Sequence, residues 1–88
     1  MIITGEGAID FQTKFGKTIA GVSRISKNYH KPLIVLTGAI GENIEELYDL
    51  GITSIFSIMD RPKTLDEAFE EAREAVVNVS FNIGRLVI

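Results

Sequence analysis

The sequence predicts an α/β fold, a βαβαβα unit in which two or three layers are built around one parallel sheet. Three short apolar runs, at residues 1–4, 33–37 and 54–59, have the length of strands. The first two runs are uninterrupted, as expected of strands that are covered on both faces. After each run, apolar residues recur every three or four positions, which is the period of a helix.

The first helical segment has one apolar stripe, formed by Ile19, Val22, Ile25 and Tyr29. Its basic residues gather towards the end of the segment, where the negative pole of a helix favours cations. Pro32 then prevents the helix from continuing. We therefore expect a helix that ends shortly before Pro32 and packs this stripe against the sheet.

The second helical segment is short. Ile44, Leu47 and Tyr48 are spaced to face inward, and glutamates gather at its start, where the positive pole of a helix favours carboxylates. Gly51 suits the left-handed position that often follows the last turn of a helix. We expect a helix that ends just before this glycine.

The third helical segment begins with the strongest local signal in the chain. Thr64 and Glu67 have the spacing of a capping box, in which each side chain binds the other residue's backbone N–H. A helix of about 22 residues, roughly 33 Å long, is expected to follow. Phe69, Phe81 and, in the second helix, Tyr48 are expected to face the core. The apolar face of the third helix comprises Leu65, Ala68, Phe69, Ala72, Val76, Val79, Ile83 and Leu86.

Length and composition indicate one small domain spanning residues 1–88. The chain contains no cysteine and one histidine, which excludes disulfides and thiolate metal sites. Its formal charge of −3 provides no basic surface for nucleic acid. No apolar run approaches the roughly 20 residues that cross a bilayer. We therefore expect a cytoplasmic protein that binds neither nucleic acid nor membranes.

The predicted topology leaves one face of the sheet without helices. If the strands lie side by side in sequence order, right-handed crossovers place every helix on the same face. Parallel sheets rarely tolerate a bare face. We therefore expect either the remainder of a longer chain or a second copy of this chain to cover it.

Three loops are predicted to follow the strands, at residues 5–10, 38–41 and 60–62, and they contain glycines, carboxylates and an arginine. In open α/β sheets, ligands bind beyond the carboxyl ends of the strands, where these segments meet. Glycine-rich backbone allows N–H groups to approach an anionic ligand closely. Two familiar phosphate motifs do not fit, because a dinucleotide fingerprint needs glycine at Asp10 and a Walker A loop needs glycine at Phe11.

A longer signature extends from Thr4 to Lys17 and reads Thr-Gly-Glu-Gly-x-x-Asp-x-Gln-Thr-x-x-Gly-Lys. It resembles, position by position, the signature near the C-terminus of the bacterial-type glycerate kinases. In that family, a strand ending in Ile-Thr-Gly-Glu-Gly is followed by Asp, then by Gln-Thr, and then by Gly-Lys at the start of a helix. The resemblance continues through the second strand, the pair Arg61-Pro62 and the Leu-Asp-Glu-Ala sequence that opens the last helix. It therefore covers essentially the whole chain.

The resemblance implies that this chain is the C-terminal portion of a longer glycerate kinase, an α/β enzyme that transfers the γ-phosphoryl group of ATP, with Mg²⁺, to D-glycerate. The opposing wall of the cleft would lie outside these residues, so we expect the isolated chain to be inactive. The implied catalytic residues are Glu6, Asp10 and Lys17, with Glu6 and Asp10 also as magnesium ligands. The implied substrate- or nucleotide-binding residues are Thr4, Gly5, Gly7, Gln12, Thr13, Gly16, Gly38 and Arg61.

Each of these residues also has a structural explanation. Asp10 would cap the helix that follows, with Glu6 solvated or paired, and Lys17 would be an exposed lysine in a first helical turn. Arg61 would form a surface ion pair with a nearby acid such as Asp60 or Asp66. The remaining residues would cap turns or provide backbone freedom: Gln12, Thr13, Gly5, Gly7, Gly16, Gly38 and Gly41. For the chain as a whole, the alternative is a non-catalytic module that binds phosphate or nucleotide at the same glycine-rich edge.

Overall fold

The structure, a computed structural model, describes residues 1–10 and 17–87 and confirms the predicted alternation of strands and helices. The elements are, in chain order, β1 (Ile2–Ile9), α1 (Lys17–Asn28), β2 (Leu33–Ile40), α2 (Glu45–Asp49), β3 (Ser54–Ser57) and α3 (Leu65–Val87). The chain divides into two compact units, Met1–Ser57 and Ile58–Ile88. The first unit contains the sheet with α1 and α2, and the second contains α3.

The sheet is parallel, and its strands lie in sequence order, β1-β2-β3. β1 pairs with β2 from Ile2 opposite Leu33 to Ile9 opposite Ile40. The prediction that residues 5–10 and 38–41 form loops is therefore wrong for residues 5–9 and 38–40, because pairing continues to Ile9 and Ile40. Ile9 is almost completely buried, so extending β1 adds a large apolar side chain to the core.

The core of the first unit lies between the sheet and its two helices. Because α1 and α2 both contribute to one cluster with alternate residues of β2, they lie on the same face of the sheet, as predicted. Ile34 and Leu36, on the opposite face of β2, are also buried. A bare second face is therefore not found along the central strand. The cluster comprises Ile9, Ile19, Leu33, Val35, Leu47 and Ile52.

The buried face of α1 differs from the predicted stripe. Ile19 is fully buried and Val22 also packs against the core, as predicted, but Ile25 and Tyr29 are exposed. Ser23 and Ser26 take inward positions together with Ile19 instead. These three inward residues are four and three positions apart, and the two small serines allow the helix to lie close to the sheet. Two buried serines thus replace part of the expected apolar stripe.

A serine also fixes the chain where it leaves α1. The Ser26 hydroxyl donates to the Lys31 carbonyl at 2.5 Å, and the Lys31 N–H donates to the Ser26 carbonyl at 3.0 Å. His30, between them, has a φ of 54°, the left-handed conformation that often ends a helix. The chain can therefore turn directly into β2.

Gly51 ends the α2 segment with a φ of 118°, which confirms the predicted left-handed position. The Lys27 ammonium group donates to the Asp49 carbonyl at 2.9 Å, and its stem passes over Gly51. A Cβ on Gly51 would lie 3.0 Å from the Lys27 Cγ, so a larger residue is disfavoured here both by φ and by space. Leu47 is buried as predicted, whereas Tyr48 is 44% exposed.

α3 confirms the predicted capping box and has 23 residues. The Thr64 N–H donates to the Glu67 carboxylate at 3.0 Å, and the Glu67 N–H donates to the Thr64 hydroxyl at 3.2 Å. Phe69 and Phe81, expected in the core, are 71% and 64% exposed. Because 12 residues leave them about 120° apart around the helix, one packing surface cannot cover both.

Candidate functional site

The predicted site begins on the second half of β1. Parallel strands bring their carboxyl ends to one edge, so residues late in β1 and β2 lie beside each other. Thr4 is opposite Val35 and Glu6 is opposite Thr37. Thr4 and Glu6 are half-buried, whereas Gly5 between them and Gly7 after them are exposed. The strand thus directs its polar side chains to one face and its glycines to the other.

Glu6 is held by a local contact. Its carboxylate accepts a hydrogen bond from the Gly7 N–H at 3.2 Å. The neighbouring Thr37 is buried, and its hydroxyl donates to the Ala39 carbonyl at 3.0 Å. A carboxylate has about four lone-pair positions, so one backbone contact leaves Glu6 able to accept further hydrogen bonds from a ligand.

Asp10 follows β1 directly and lies against Gly41. The Gly41 N–H donates to the Ile9 carbonyl at 2.7 Å, and a Cβ placed on Gly41 would lie 2.8 Å from the Asp10 Cβ. Gly41 thus holds the backbone of Asp10, a role that the candidate residues did not include. The signal in the sequence is a second glycine soon after a buried strand, which we interpreted as a turn former.

Gly38 has a packing role. It lies within β2 rather than in a turn, and a Cβ added to it would come within 2.9 Å of the Gly7 carbonyl oxygen. Only glycine accommodates this approach of β1 without a shift of one backbone. The interpretation of Gly38 as a turn former is therefore wrong, and its predicted ligand contact stays a prediction.

The structure brings together six of the candidate residues in the first unit. Lys17 begins α1, and Arg61 belongs to the second unit. Gln12, Thr13 and Gly16 lie outside the described residues. The six candidates on or next to β1 and β2 are Thr4, Gly5, Glu6, Gly7, Asp10 and Gly38.

Glu6 and Asp10 do not form a magnesium site by themselves. Two carboxylates provide at most four oxygens, whereas octahedral Mg²⁺ takes six ligands. Within residues 1–10 and 17–87, no group of three histidine or acidic side chains could hold a metal ion. Glu6 and Asp10 could therefore contribute ligands only to an ion whose other ligands come from elsewhere.

Arg61 forms ion pairs within the second unit. Its Nη2 lies 2.7 Å from a Glu71 carboxylate oxygen, and its Nη1 lies 3.7 Å from Glu67. The alternative of a surface ion pair therefore holds, but the partners are Glu67 and Glu71 rather than Asp60 or Asp66. The guanidinium remains about half exposed.

Glu71 also pairs with Lys63, which is more deeply buried than Arg61. The sequence analysis did not single out this lysine. Its side chain is 3% exposed, and its ammonium group lies 2.5 Å from Glu71 and 3.0 Å from Asp60. The hydrogen bond to Glu71, followed by that to Asp60, raises the pKa of Lys63. The hydrogen bond from Lys63 lowers the pKa of Asp60.

These ion pairs border an open cavity of about 220 Å³ in the second unit. The two cations that line it, Arg61 and Lys63, are already paired with carboxylates, so an anionic ligand would have to displace these partners. Its lining comprises Asp60, Arg61, Lys63, Glu71, Glu74, Ala75 and Asn78.

None of the helices described here has the length and apolar character needed to span a membrane.

Comparison with known proteins connects these features to one family. The model of the glycerate kinase family matches residues 1–88. Glycerate kinase from Bacillus subtilis is 43% identical over 84 residues, and glycerate 2-kinase from Escherichia coli is 40% identical over 84 residues. In both cases the match covers 96% of this chain and 22% of the relative, so the chain spans about a fifth of these proteins' length.

A match of this extent involves both units and every strand and helix, including the residues around Glu6, Asp10 and Gly41. It agrees with the resemblance carried by the signature between Thr4 and Lys17. The chain belongs to the glycerate kinase family.

Proposed function

We propose that this chain is part of an ATP-dependent glycerate kinase, which transfers the γ-phosphoryl group of ATP to a hydroxyl group of D-glycerate and yields phosphoglycerate. The observation that carries the proposal is the family match over all 88 residues, together with relatives named for this activity. We expect the whole enzyme to act in the cytoplasm and to require Mg²⁺.

In this proposal, the edge formed by β1 and β2 makes one wall of the cleft. Glu6 and Asp10 orient the glycerate hydroxyl or contribute single oxygen ligands, and Lys17 stabilises negative charge on the transferring group. Support comes from the half-buried position of Glu6, whose carboxylate has capacity for further hydrogen bonds, and from the contact that fixes Asp10 against Gly41. Phosphoryl transfer depends mainly on such positioning and charge stabilisation.

The remaining candidates would complete the ligand contacts. Gly5 and Gly7 would let the backbone approach an anionic ligand, and Arg61 would bind a carboxylate or phosphate only by exchanging its present partners. Thr4, Gln12, Thr13, Gly16 and Gly38 would line the same edge.

The proposal also predicts that the isolated chain has no kinase activity. One wall cannot exclude water or neutralise a triphosphate, and Glu6 and Asp10 do not form a metal site on their own. The missing groups would come from the part of the enzyme that corresponds to the other four fifths of the relatives' length.

A chimera tests this function. The aligned segment of the Bacillus subtilis relative is replaced by this chain, and glycerate-dependent ATP consumption is measured. We expect activity in the chimera and none in the isolated chain. Glu6→Gln or Asp10→Asn in the chimera should lower kcat by about 100-fold or more, whereas the control Glu42→Gln, at an exposed position before α2, should not.

Each outcome bears on a separate part of the proposal. A folded chimera without activity contradicts the proposed function. Equal kcat values for Glu6→Gln, Asp10→Asn and Glu42→Gln contradict the site but leave the function. Saturable ATP binding by the isolated chain, without turnover, would instead favour the non-catalytic binding module.

A further inference from the structure

One side of α3 carries apolar residues spaced alternately four and three positions apart. We call this set the α3 seam: Leu65, Phe69, Ala72, Val76, Val79, Ile83 and Leu86. The spacing continues without a break through three heptad repeats. This is the repeat by which one helix packs along another. The seam therefore has the form of a helix-packing surface.

Much of the α3 seam is uncovered. Ile83 is buried, but Leu65, Phe69 and Leu86 are 70%, 71% and 76% exposed, and Val76 is 40% exposed. Large apolar side chains grouped on one stripe, in contrast to single exposed ones, mark an interaction surface. The uncovered part lies mainly in the first half of the helix.

The residues beside the seam favour close approach of another helix. Ala68 and Ala75 flank it on one side, and Arg73 and Ser80 flank it on the other. Alanines at such positions let a partner helix lie near the axis of α3, because their side chains do not extend past the seam. The acidic residues of the first half all lie away from the stripe: Asp66, Glu67, Glu70, Glu71 and Glu74.

The size of the uncovered surface favours an occupant in the same polypeptide over a second copy. The exposed parts of its four large side chains amount to roughly 300–400 Å². A stable interface between separate molecules buries about 800 Å² on each partner. A segment of the same polypeptide does not lose translational freedom on docking, so a smaller area suffices.

The occupant can lie in the large part of the relatives' length that this chain does not span. The aligned region is 22% of the Bacillus subtilis glycerate kinase, so most of such an enzyme lies outside it. We infer that the α3 seam is the docking surface for an apolar helix in the remainder of the glycerate kinase polypeptide. This inference rests on the proposed function to the extent that this chain works as part of a longer enzyme.

α3 also provides a matched control surface. Val77 and Phe81 are 58% and 64% exposed but lie well away from the seam, with the Arg85 guanidinium 5.9 Å from the Phe81 ring centroid. Replacing both removes about as much exposed apolar surface as replacing Leu65 and Phe69. The two double variants therefore differ in position rather than in chemistry.

The test compares Leu65→Ser with Phe69→Ser against Val77→Ser with Phe81→Ser, each pair introduced into the chimera and into the isolated chain. In the chimera, the seam pair should lower Tm by more than about 5 °C and the control pair by less than about 2 °C. In the isolated chain, both pairs should change Tm by less than about 2 °C, because no packing is lost.

Three results would overturn the inference. The two pairs could lower Tm of the chimera equally, or the grafted segment could unfold in a transition of its own. Alternatively, the isolated chain could form a dimer that the seam pair disrupts, which would make a second copy the occupant. Tm and solution mass do not depend on turnover. A chimera without kinase activity would therefore contradict the proposed function, but the comparison of Tm values would still test the docking surface.

Discussion

The contact between Gly38 and Gly7 predicts that one added methyl group will destabilise the sheet. In Gly38→Ala, the new Cβ would lie 2.9 Å from the Gly7 carbonyl oxygen. Ordinary carbon–oxygen contacts between neighbouring strands are about 3.3–3.6 Å, so the deficit is roughly 0.4–0.7 Å. The atom that it meets belongs to the backbone of β1, which cannot rotate away as a side chain would.

The size of the effect is the difference between two terms. Overpacking of this kind costs about 1–3 kcal/mol. Replacing glycine also restricts the unfolded chain, which stabilises the native state by about 0.4–1 kcal/mol. We therefore expect Gly38→Ala to lower the free energy of unfolding by about 1–2 kcal/mol, or Tm by roughly 5–15 °C for a chain of this length.

The assay is urea and thermal unfolding of the 88-residue chain, followed by circular dichroism. Gly7→Ala is the matched control, because it lies on the paired strand and its Cβ would meet nothing within 4 Å. We expect this control to be neutral or up to about 1 kcal/mol more stable. Equal stabilities of the two variants would refute the packing role of Gly38.

Three further predictions concern the helices. Thr64→Ala should lower unfolding stability in urea by about 1 kcal/mol, and Thr64→Ser should retain most of it, because the hydroxyl accepts the Glu67 N–H. Gly21→Ala should raise stability by about 0.5–1 kcal/mol, since its Cβ would meet nothing within 4 Å in α1. Glu71 and Asp60 hold the pKa of Lys63 above 10.5, so their stabilisation is present below pH 10.5 and lost as pH rises through the folded-state pKa. Urea midpoints of the chain and of Lys63→Gln should therefore converge in that alkaline range.

Local patterns in the sequence were sufficient for much of the fold. Uninterrupted apolar runs predicted the first two strands, and right-handed connectivity predicted α1 and α2 on one face of the sheet. The capping box at Thr64 and the apolar period that follows predicted the start of α3 and its length to within a residue or two. Each of these depends on interactions between residues that are close along the chain or on a general rule of chain geometry.

The errors arose where packing between distant residues overrides local preference. Glycines are disfavoured in strands, so residues 5–7 and 38 indicated loops, but the burial of Ile9 extends the pairing. Likewise, the apolar period of α1 predicted that Ile25 and Tyr29 face the sheet, although both are exposed and Ser23 and Ser26 are buried instead. No pattern within α1 reports how closely the helix approaches the sheet.

The course of β1 also limits which ligand contacts its residues can share. From Ile2 to Glu6, burial alternates strictly, so Glu6 lies on the face covered by α1 and α2 while Gly5 lies on the other. Ile2 and Ile9 nevertheless pack in the same core, although seven residues separate them, so the alternation reverses between Glu6 and Ile9. A ligand group that meets the Glu6 carboxylate must therefore approach from the helical face, whereas one that lies on the Gly5 backbone approaches from the opposite face. If both residues serve the proposed transfer, they must therefore contact different parts of the reacting pair.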